Sequence, residues 1–302
     1  MRDYAERMRV LVTGASGFVG RHITRRLQAD GHQVTGLART QPDNGPAVVD
    51  WALGDVVTGS GVEKALTGAD AVVHLVGIIR EKPGATFEQV HVEGTRTVLA
   101  AASQAGVRRF LHMSALGADP ASASGYGSSK GRAETLVRES GLAWTIFRPD
   151  MILGVGDDFF SGTLRDLVLK PPVIPVVGNG AYPFRPITAH DVAAAFGAAL
   201  ERPATAGSSL DLLGPRQYTL RELQVLVRDT IGVKKPLVNV PLPLMRLGIA
   251  LLRLLPSPPI TFDEFLMLTS TTPSDPAPAV KALGLELQAI EDHLATVLAA
   301  AN

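Results

Sequence analysis

The sequence predicts an α/β fold built on a doubly wound parallel sheet, and three observations carry that prediction. Short β-branched apolar runs alternate with longer helical patterns through the first half of the chain. A glycine-rich turn joins the first of these runs to the first helix. After Pro149 the alternation gives way to a proline-rich stretch with Pro171, Pro172, Pro175, Pro183 and Pro186, where strand pairing must be short.

In chain order, the runs at residues 10–13, 34–38, 48–51, 71–76, 110–114 and 144–147 read as strands. Each lacks the polar alternation of a half-exposed strand, so both faces are expected to be covered. The helical spans between them bury one stripe: over 87–102, Phe87, Val90, Gly94, Val98 and Ala101 recur at three- and four-residue spacing. Right-handed crossovers between such strands force a doubly wound sheet, with its ligand crevice beyond the strands' carboxyl ends. Residues 1–150 are therefore expected to form a nucleotide-binding core and 151–302 a substrate-binding cap, with part of 176–215 returning to the sheet. Thr188-Ala-His-Asp191, Thr219-Leu-Arg-Glu222 and Thr261-Phe-Asp-Glu264 mark three helix starts within the cap.

Composition excludes several classes. The 29 Lys and Arg balance the 29 Asp and Glu, so no basic field is available to grip nucleic acid. The absence of cysteine removes disulfides, thiolate metal sites and cysteine nucleophiles. The histidines show no metal-ligand spacing, and no Gly-x-Ser-x-Gly elbow marks a hydrolase. Residues 1–9 mix charge signs without an apolar core, and no apolar run reaches the length of a membrane span. Both point to a cytoplasmic protein. Residues 242–255 are the most apolar stretch, but Arg246 and Arg253 interrupt it; it reads as a buried helix or one that meets a protein or membrane surface.

Strand 10–13 runs directly into Gly14-Ala-Ser16-Gly17-Phe18-Val-Gly20, followed by a helical pattern. Glycines at this spacing let the backbone turn tightly and approach a pyrophosphate, while the helix N-terminus offers N–H groups and the positive end of a dipole. The end of the second strand selects the nucleotide. Arg39 and Thr40 stand there, where an acidic residue would bind a bare ribose hydroxyl. A guanidinium suits a 2′-phosphate, so NADP(H) is preferred, with NAD(H) as the alternative. Asp55 either accepts from the adenine amino group or shapes the turn after Gly54.

Tyr126 and Lys130 fall four residues apart at a helix start, which puts both side chains on one face. A phenol is a poor proton acceptor at neutral pH unless a nearby ammonium stabilises its phenolate, and the pair suits proton transfer at an oxygen whose carbon exchanges a hydride. Ser114, at the end of the fifth strand, is expected to hold the substrate oxygen beside the phenol. Pro149 would wall the nicotinamide, and Phe159 and Phe160 would line an apolar pocket. Asp157 and Asp158 either meet a substrate hydroxyl or solvate a loop, and Asp191 reads as a capping residue.

The phrases TGASGFVG, HLVG, HMSALGA, YGSSK, FRPDMILGVGDDF and RPITAHDVA together resemble the extended or atypical short-chain dehydrogenases/reductases. HLVGIIRE, HVEGTR and HMSALGAD resemble bacterial relatives of the NAD(P)H-binding accessory subunit of respiratory complex I. The resemblance implies a Rossmann sheet with a smaller C-terminal substrate region. It also implies cofactor contacts at Gly14, Ser16, Gly17, Phe18, Gly20, Arg39, Thr40, Asp55, Val56, Leu75, Val76, Gly77 and Lys130, with Ser114, Tyr126 and Lys130 as catalytic residues. Two departures stand out: His91 replaces an asparagine of the sugar-modifying members, and the Ser-to-Tyr interval is short, which leaves open whether Ser114 or Ala115 fills the serine position. The expected function is a carbonyl/alcohol oxidoreductase acting on an unidentified small molecule. A protein that holds NADPH without turnover, and an NAD-dependent sugar epimerase or dehydratase, are the alternatives.

Overall fold

A computed structural model describes residues 7–42, 50–252, 260–270 and 274–300, which group into two compact units. The first comprises Met1–Pro149, Ala189–Leu212 and Ala277–Glu286. Its strands are β1 (Arg9–Thr13), β2 (Gln33–Ala38), β3 (Asp50–Leu53), β4 (Ala71–His74), β5 (Arg109–Met113) and β6 (Ala143–Pro149), joined through α1 (Phe18–Ala29), α2 (Val62–Ala65), α3 (Gly94–Gln104) and α4 (Gly125–Glu139). All pairings in the sheet are parallel, in the order β11-β6-β5-β4-β1-β2-β3, where β11 is Ser208–Leu212. The order reverses between β1 and β4, so that pair is the topological switch point where a Rossmann sheet opens its ligand crevice.

Burial explains why these runs become strands. Val10, Leu11 and Val12 of β1 and Ala71, Val72 and Val73 of β4 are sealed on both faces, each larger side chain worth about 1.5–3 kcal/mol. One layer of core packs Leu11, Val72, Val98, Phe110, Val137 and Ile146 together. At the sheet's other end Arg109 is buried without a carboxylate. Its guanidinium donates to Ala143 O (2.7 Å), Thr145 Oγ1 (2.6 Å), Thr205 Oγ1 (2.9 Å) and Ala199 O (3.2 Å), and burial lowers its pKa to about 10. It thereby pins α6 (Ala189–Glu201), which packs on α1, to β5 and β6. The short helix α10 (Ala277–Leu283) also belongs to this unit, against β11.

Of the expected third strand, Asp50–Leu53 forms β3, and residues 48 and 49 lie outside the described residues. The expected helix over 87–102 begins with one π-helical turn at Glu88–Glu93 before α3. Val90, His91 and Val92 are all buried, and three consecutive buried positions cannot share one face of a regular helix; the wider turn accommodates them.

The second unit, Asp150–Thr188, Leu213–Pro276 and Leu287–Asn302, has only short pairings. β7 (Ile152–Leu153) lies parallel to β10 (Ile187–Thr188), β8 (Ile174–Val177) parallel to β13 (Leu237–Val240), and β9 (Pro183–Phe184) antiparallel to β12 (Tyr218–Thr219). Around them stand α5 (Arg165–Leu169), α7 (Leu220–Ile231), α8 (Leu242–Leu252), α9 (Phe262–Thr269) and α11 (Glu291–Ala299). Thr219 and Thr261 close reciprocal capping boxes with Glu222 and Glu264, as their spacing predicts. Phe160 is sealed in this unit's own core with Phe159 edge-on against it, so the expectation that both line a pocket is not met for Phe160. Asp157 is buried and accepts from the N–H groups of Phe160 and Ser161 at 2.5 and 3.1 Å, a turn-capping role. On α8, Leu244, Leu247 and Leu251 are 60%, 57% and 64% exposed while Ile249 faces the core; 253–255 of the expected apolar segment lie outside the described residues. Among the described residues no helix is long and apolar enough to cross a membrane.

Candidate active site

β1 ends at Thr13 and the chain turns at Gly14, whose φ of +76° lies in the left-handed region that favours glycine. A Cβ there would press on the backbone of Leu75 and Val76 at 3.2 Å, and one at Gly20 would meet Gly14 O at 2.1 Å. The loop is thus packed against the end of β4 and against its own helix. Gly17 donates to Gly14 O at 3.0 Å and begins α1 with no side-chain cap. Ser16 and Gly17 are exposed, Phe18 half-buried. A phosphate-bearing cofactor fits this cradle: its wall is backbone, and its base is the uncapped positive end of α1.

Around the cradle stand the ends of β2 and β3. Arg39 and Thr40 are exposed immediately after β2. Asp55 accepts from Val57 N–H at 2.8 Å, closing its own turn with one carboxylate oxygen, and Val56 is buried against Gly94. Leu75 is buried; Gly77 is exposed. Pro149 is buried at the end of β6, its carbonyl accepting from Leu116 N–H at 2.9 Å.

The helix that carries Tyr126 and Lys130 starts where sequence chemistry starts it. Ser124 caps α4 by accepting from Gly127 N–H at 3.1 Å. Gly127 and Gly131 let the preceding loop lie on the helix; a Cβ at Gly131 would sit 2.3 Å from Asp119 C. Tyr126 is half-buried, with its ring edge-on to His91 and Phe87 at centroid distances of 5.5 and 5.9 Å. Lys130 is buried and its amine donates to Met113 O, at the end of β5, at 3.1 Å. Burial pulls its pKa down to about 8 against the opposing pull of Glu134. A Cβ at Gly77 would lie 3.0 Å from Lys130 Nζ, so the loop runs close to the amine.

Ser114 Oγ is shut from solvent beside the Glu134 carboxylate, without a well-formed hydrogen bond. Glu134 is itself held by Arg148 through paired bonds of 2.8 and 2.6 Å and by Arg138 at 2.5 Å. Burial pushes that carboxyl up, but the Arg148, Ser114 and Arg138 contacts outweigh it and keep it below the usual carboxylate range.

A row of polar groups lies in register across the switch point, Thr13 beside His74 beside His112. His74 bonds Thr13 Oγ1 at 2.7 Å and Thr95 Oγ1 at 3.1 Å and stacks on His112 at 5.5 Å. Neither ring nitrogen of His112 has a partner. Burial and the Lys130 charge lower His74 to about 3, and burial, His74 and Lys130 hold His112 well below its ordinary value. His91 enters the same neighbourhood from the π-helical turn, lowered to about 2 by burial and Lys130.

A family profile described as NAD(P)H-binding matches residues 14–203, which include the glycine cradle, Arg39, Tyr126 and Lys130. The chain belongs to this NAD(P)H-binding family. Among its relatives, a ceramide reductase of Caulobacter vibrioides is 32% identical over 237 residues, 78% of this chain and 74% of the reductase. The 40 kDa NADH-ubiquinone oxidoreductase subunit of Neurospora crassa mitochondria is 30% identical over 238 residues, 76% of this chain and 62% of the subunit. Mycobacterial relatives at 30% identity are longer still, this chain spanning 27% of their length. A crystal structure of the protein gox2253 superposes with a TM-score of 0.78 at 25% identity, over 96% of both chains. The relatives therefore agree with the resemblance to extended short-chain dehydrogenases/reductases and to complex I accessory subunits, and the NAD(P)H-binding family is of oxidoreductase type.

Spacing and strand context had pointed to the glycine cradle, to Tyr126 and to Lys130. His91 entered the sequence reading only as a departure, and its place beside Tyr126 and Lys130 could have been suspected from three consecutive apolar-flanked positions in a helix that has just one buried stripe.

Proposed function

We propose that this chain is an NADP(H)-dependent oxidoreductase that moves a hydride to or from a carbonyl or alcohol carbon, with Tyr126 handling the proton. The observation that carries the reading is Lys130, a buried ammonium four residues from Tyr126 on the helix beside the cradle. Its charge, drawn toward about 8 by burial, stabilises the phenolate of a neighbouring tyrosine and so brings its proton within reach near neutrality. When bound, the nicotinamide supplies or accepts the hydride. Gly14, Ser16, Gly17, Phe18 and Gly20 would hold its pyrophosphate, Arg39 and Thr40 the 2′-phosphate, and Asp55, Val56, Leu75, Val76 and Gly77 the adenosine side and the approach to the ring. Pro149 would wall the nicotinamide. With Ser114 shut from solvent beside Glu134, Tyr126 is the principal donor to the substrate oxygen, and Ser114→Ala is expected to cost turnover less than threefold; a hundredfold loss would restore it as an oxyanion donor, on the order expected for such groups.

A second reading, NADPH held without turnover, is favoured by the similarity to the 40 kDa complex I subunit. The exposed leucines of α8 support an association with a further partner on either reading. Calorimetric titration with NADPH and NADH, followed by NADPH oxidation against ketones, aldehydes and quinones, separates the readings. Given the ceramide reductase relative, lipid carbonyls head the panel. Tighter NADPH binding with substrate-dependent oxidation supports the reductase; tight binding without oxidation supports the holding role.

A further inference from the structure

His91 is fully buried in the π-helical turn ahead of α3, and each of its ring nitrogens is engaged. Ile78 N–H donates to Nε2 at 3.0 Å. Because a backbone amide can only donate, Nε2 is the acceptor and the ring proton of the neutral imidazole sits on Nδ1. Nδ1–H therefore donates to Ser129 Oγ at 2.8 Å, and the Ser129 hydroxyl donates in turn to the backbone carbonyl of Tyr126 at 2.8 Å. The ring face stacks on Phe87 at 5.4 Å and its plane meets the Tyr126 ring at 86°. A Cβ on Gly77 would reach both Lys130 Nζ (3.0 Å) and His91 Nε2 (3.4 Å), so amine and imidazole converge on one glycine of the loop after β4.

We propose that His91 is a positioning residue that ties the loop at Gly77 and Ile78 to the backbone of Tyr126 through Ser129, so that one imidazole sets both the cofactor-side loop and the phenol. This rests on the Tyr126–Lys130 reading for its effect on turnover, though not for its effect on the loop. Burial and the Lys130 charge keep the ring neutral, so the link keeps a single direction of donation across ordinary pH.

The test combines spectroscopy with three variants. In protein labelled with ¹⁵N-histidine, one neutral imidazole that is absent from His91→Gln carries its proton on Nδ1 from pH 5.5 to 8. Ser129→Ala cuts only the link to Tyr126: kcat falls about tenfold, the size of one lost hydrogen bond, with carbonyl KM and NADPH affinity within about twofold. His91→Ala also frees Ile78 and weakens NADPH about fivefold. His91→Gln, whose amide accepts from Ile78 and donates to Ser129, recovers most of both losses. A proton on Nε2, or wild-type kcat and NADPH affinity in folded Ser129→Ala and His91→Ala, overturns the proposal. If the wild-type chain turns over no carbonyl, the reductase reading fails instead, while the tautomer and the order of NADPH affinity (His91→Ala below wild type and His91→Gln) still decide the role of His91.

Discussion

On the proposed reading Tyr126 depends for its acid-base work on the ammonium four residues on. That the two share a helix face was legible because spacing on a helix is a sequence property. Side-chain surroundings at a strand end are not: Ser114 follows β5 as expected, and its hydroxyl lies beside Glu134, which bonds Arg138 one turn along α4 and also Arg148 of β6, a partner that no local pattern supplies. At this scale Arg39 gives a clear test. A charge-assisted hydrogen bond is worth about 1.5–3 kcal/mol, so Arg39→Asp is expected to weaken NADPH about 10- to 100-fold and NADH little. Titration of both cofactors checks it, and equal loss for the two removes Arg39 from the 2′-phosphate.

Elements were legible wherever one rule sufficed. Strand, glycine turn and helix at residues 9–29, and the capping boxes at Thr219 and Thr261, followed their sequence signals. The regular helix expected over 87–102 missed the π-helical turn because a periodicity rule counts apolar residues, and the buried His91 was not among them. The tightest element is the β1–α1 junction. Gly20→Ala would place a carbon 2.1 Å from Gly14 O and 2.8 Å from Ala15 Cα, contacts with backbone that cannot swing aside. Chemical denaturation of this variant should show a loss of about 2 kcal/mol or more, with NADPH affinity falling alongside. A variant as stable as wild type would mean that α1 can lift from the turn, and the cradle would not be rigid.

For the molecule as a whole, the buried histidines govern acid stability. His74, His91 and His112 all have folded pKa values below the ordinary 6.5. The unfolded chain therefore binds protons that the folded chain refuses, and stability is lost as pH falls through that value. Three such groups cost about 4 kcal/mol between pH 7.5 and 5.5. Lys130 has the same sign at alkaline pH: with its folded value near 8 against 10.5, stability rises between the two. Denaturation midpoints across pH check both windows. His112→Leu, which removes a ring with two unpartnered nitrogens, is expected to flatten the acid slope by about a third and to raise stability at pH 7.5 by about 1 kcal/mol. An unchanged slope would show that His112 protonates in the fold. The parallel sheet was legible from its central strands β1, β4 and β5, which are buried on both faces, whereas the edge strand β3 has no buried residue. Ser208–Leu212 lies within the 176–215 segment expected to return to the sheet, whereas the place of Ala277–Leu283 in the first unit rests on contacts distant in sequence.

On the proposed reading Tyr126 moves the proton beside a cofactor it does not hold. The most direct test of that role is single-turnover oxidation of bound NADPH by an accepted carbonyl in wild type and Tyr126→Phe, with NADPH affinity measured on the same samples. The variant is expected to bind NADPH within about twofold of wild type and to lose at least about a hundredfold in the oxidation step, the scale of general acid catalysis. Equal rates in the two proteins would contradict that reading and move the chemistry to another residue.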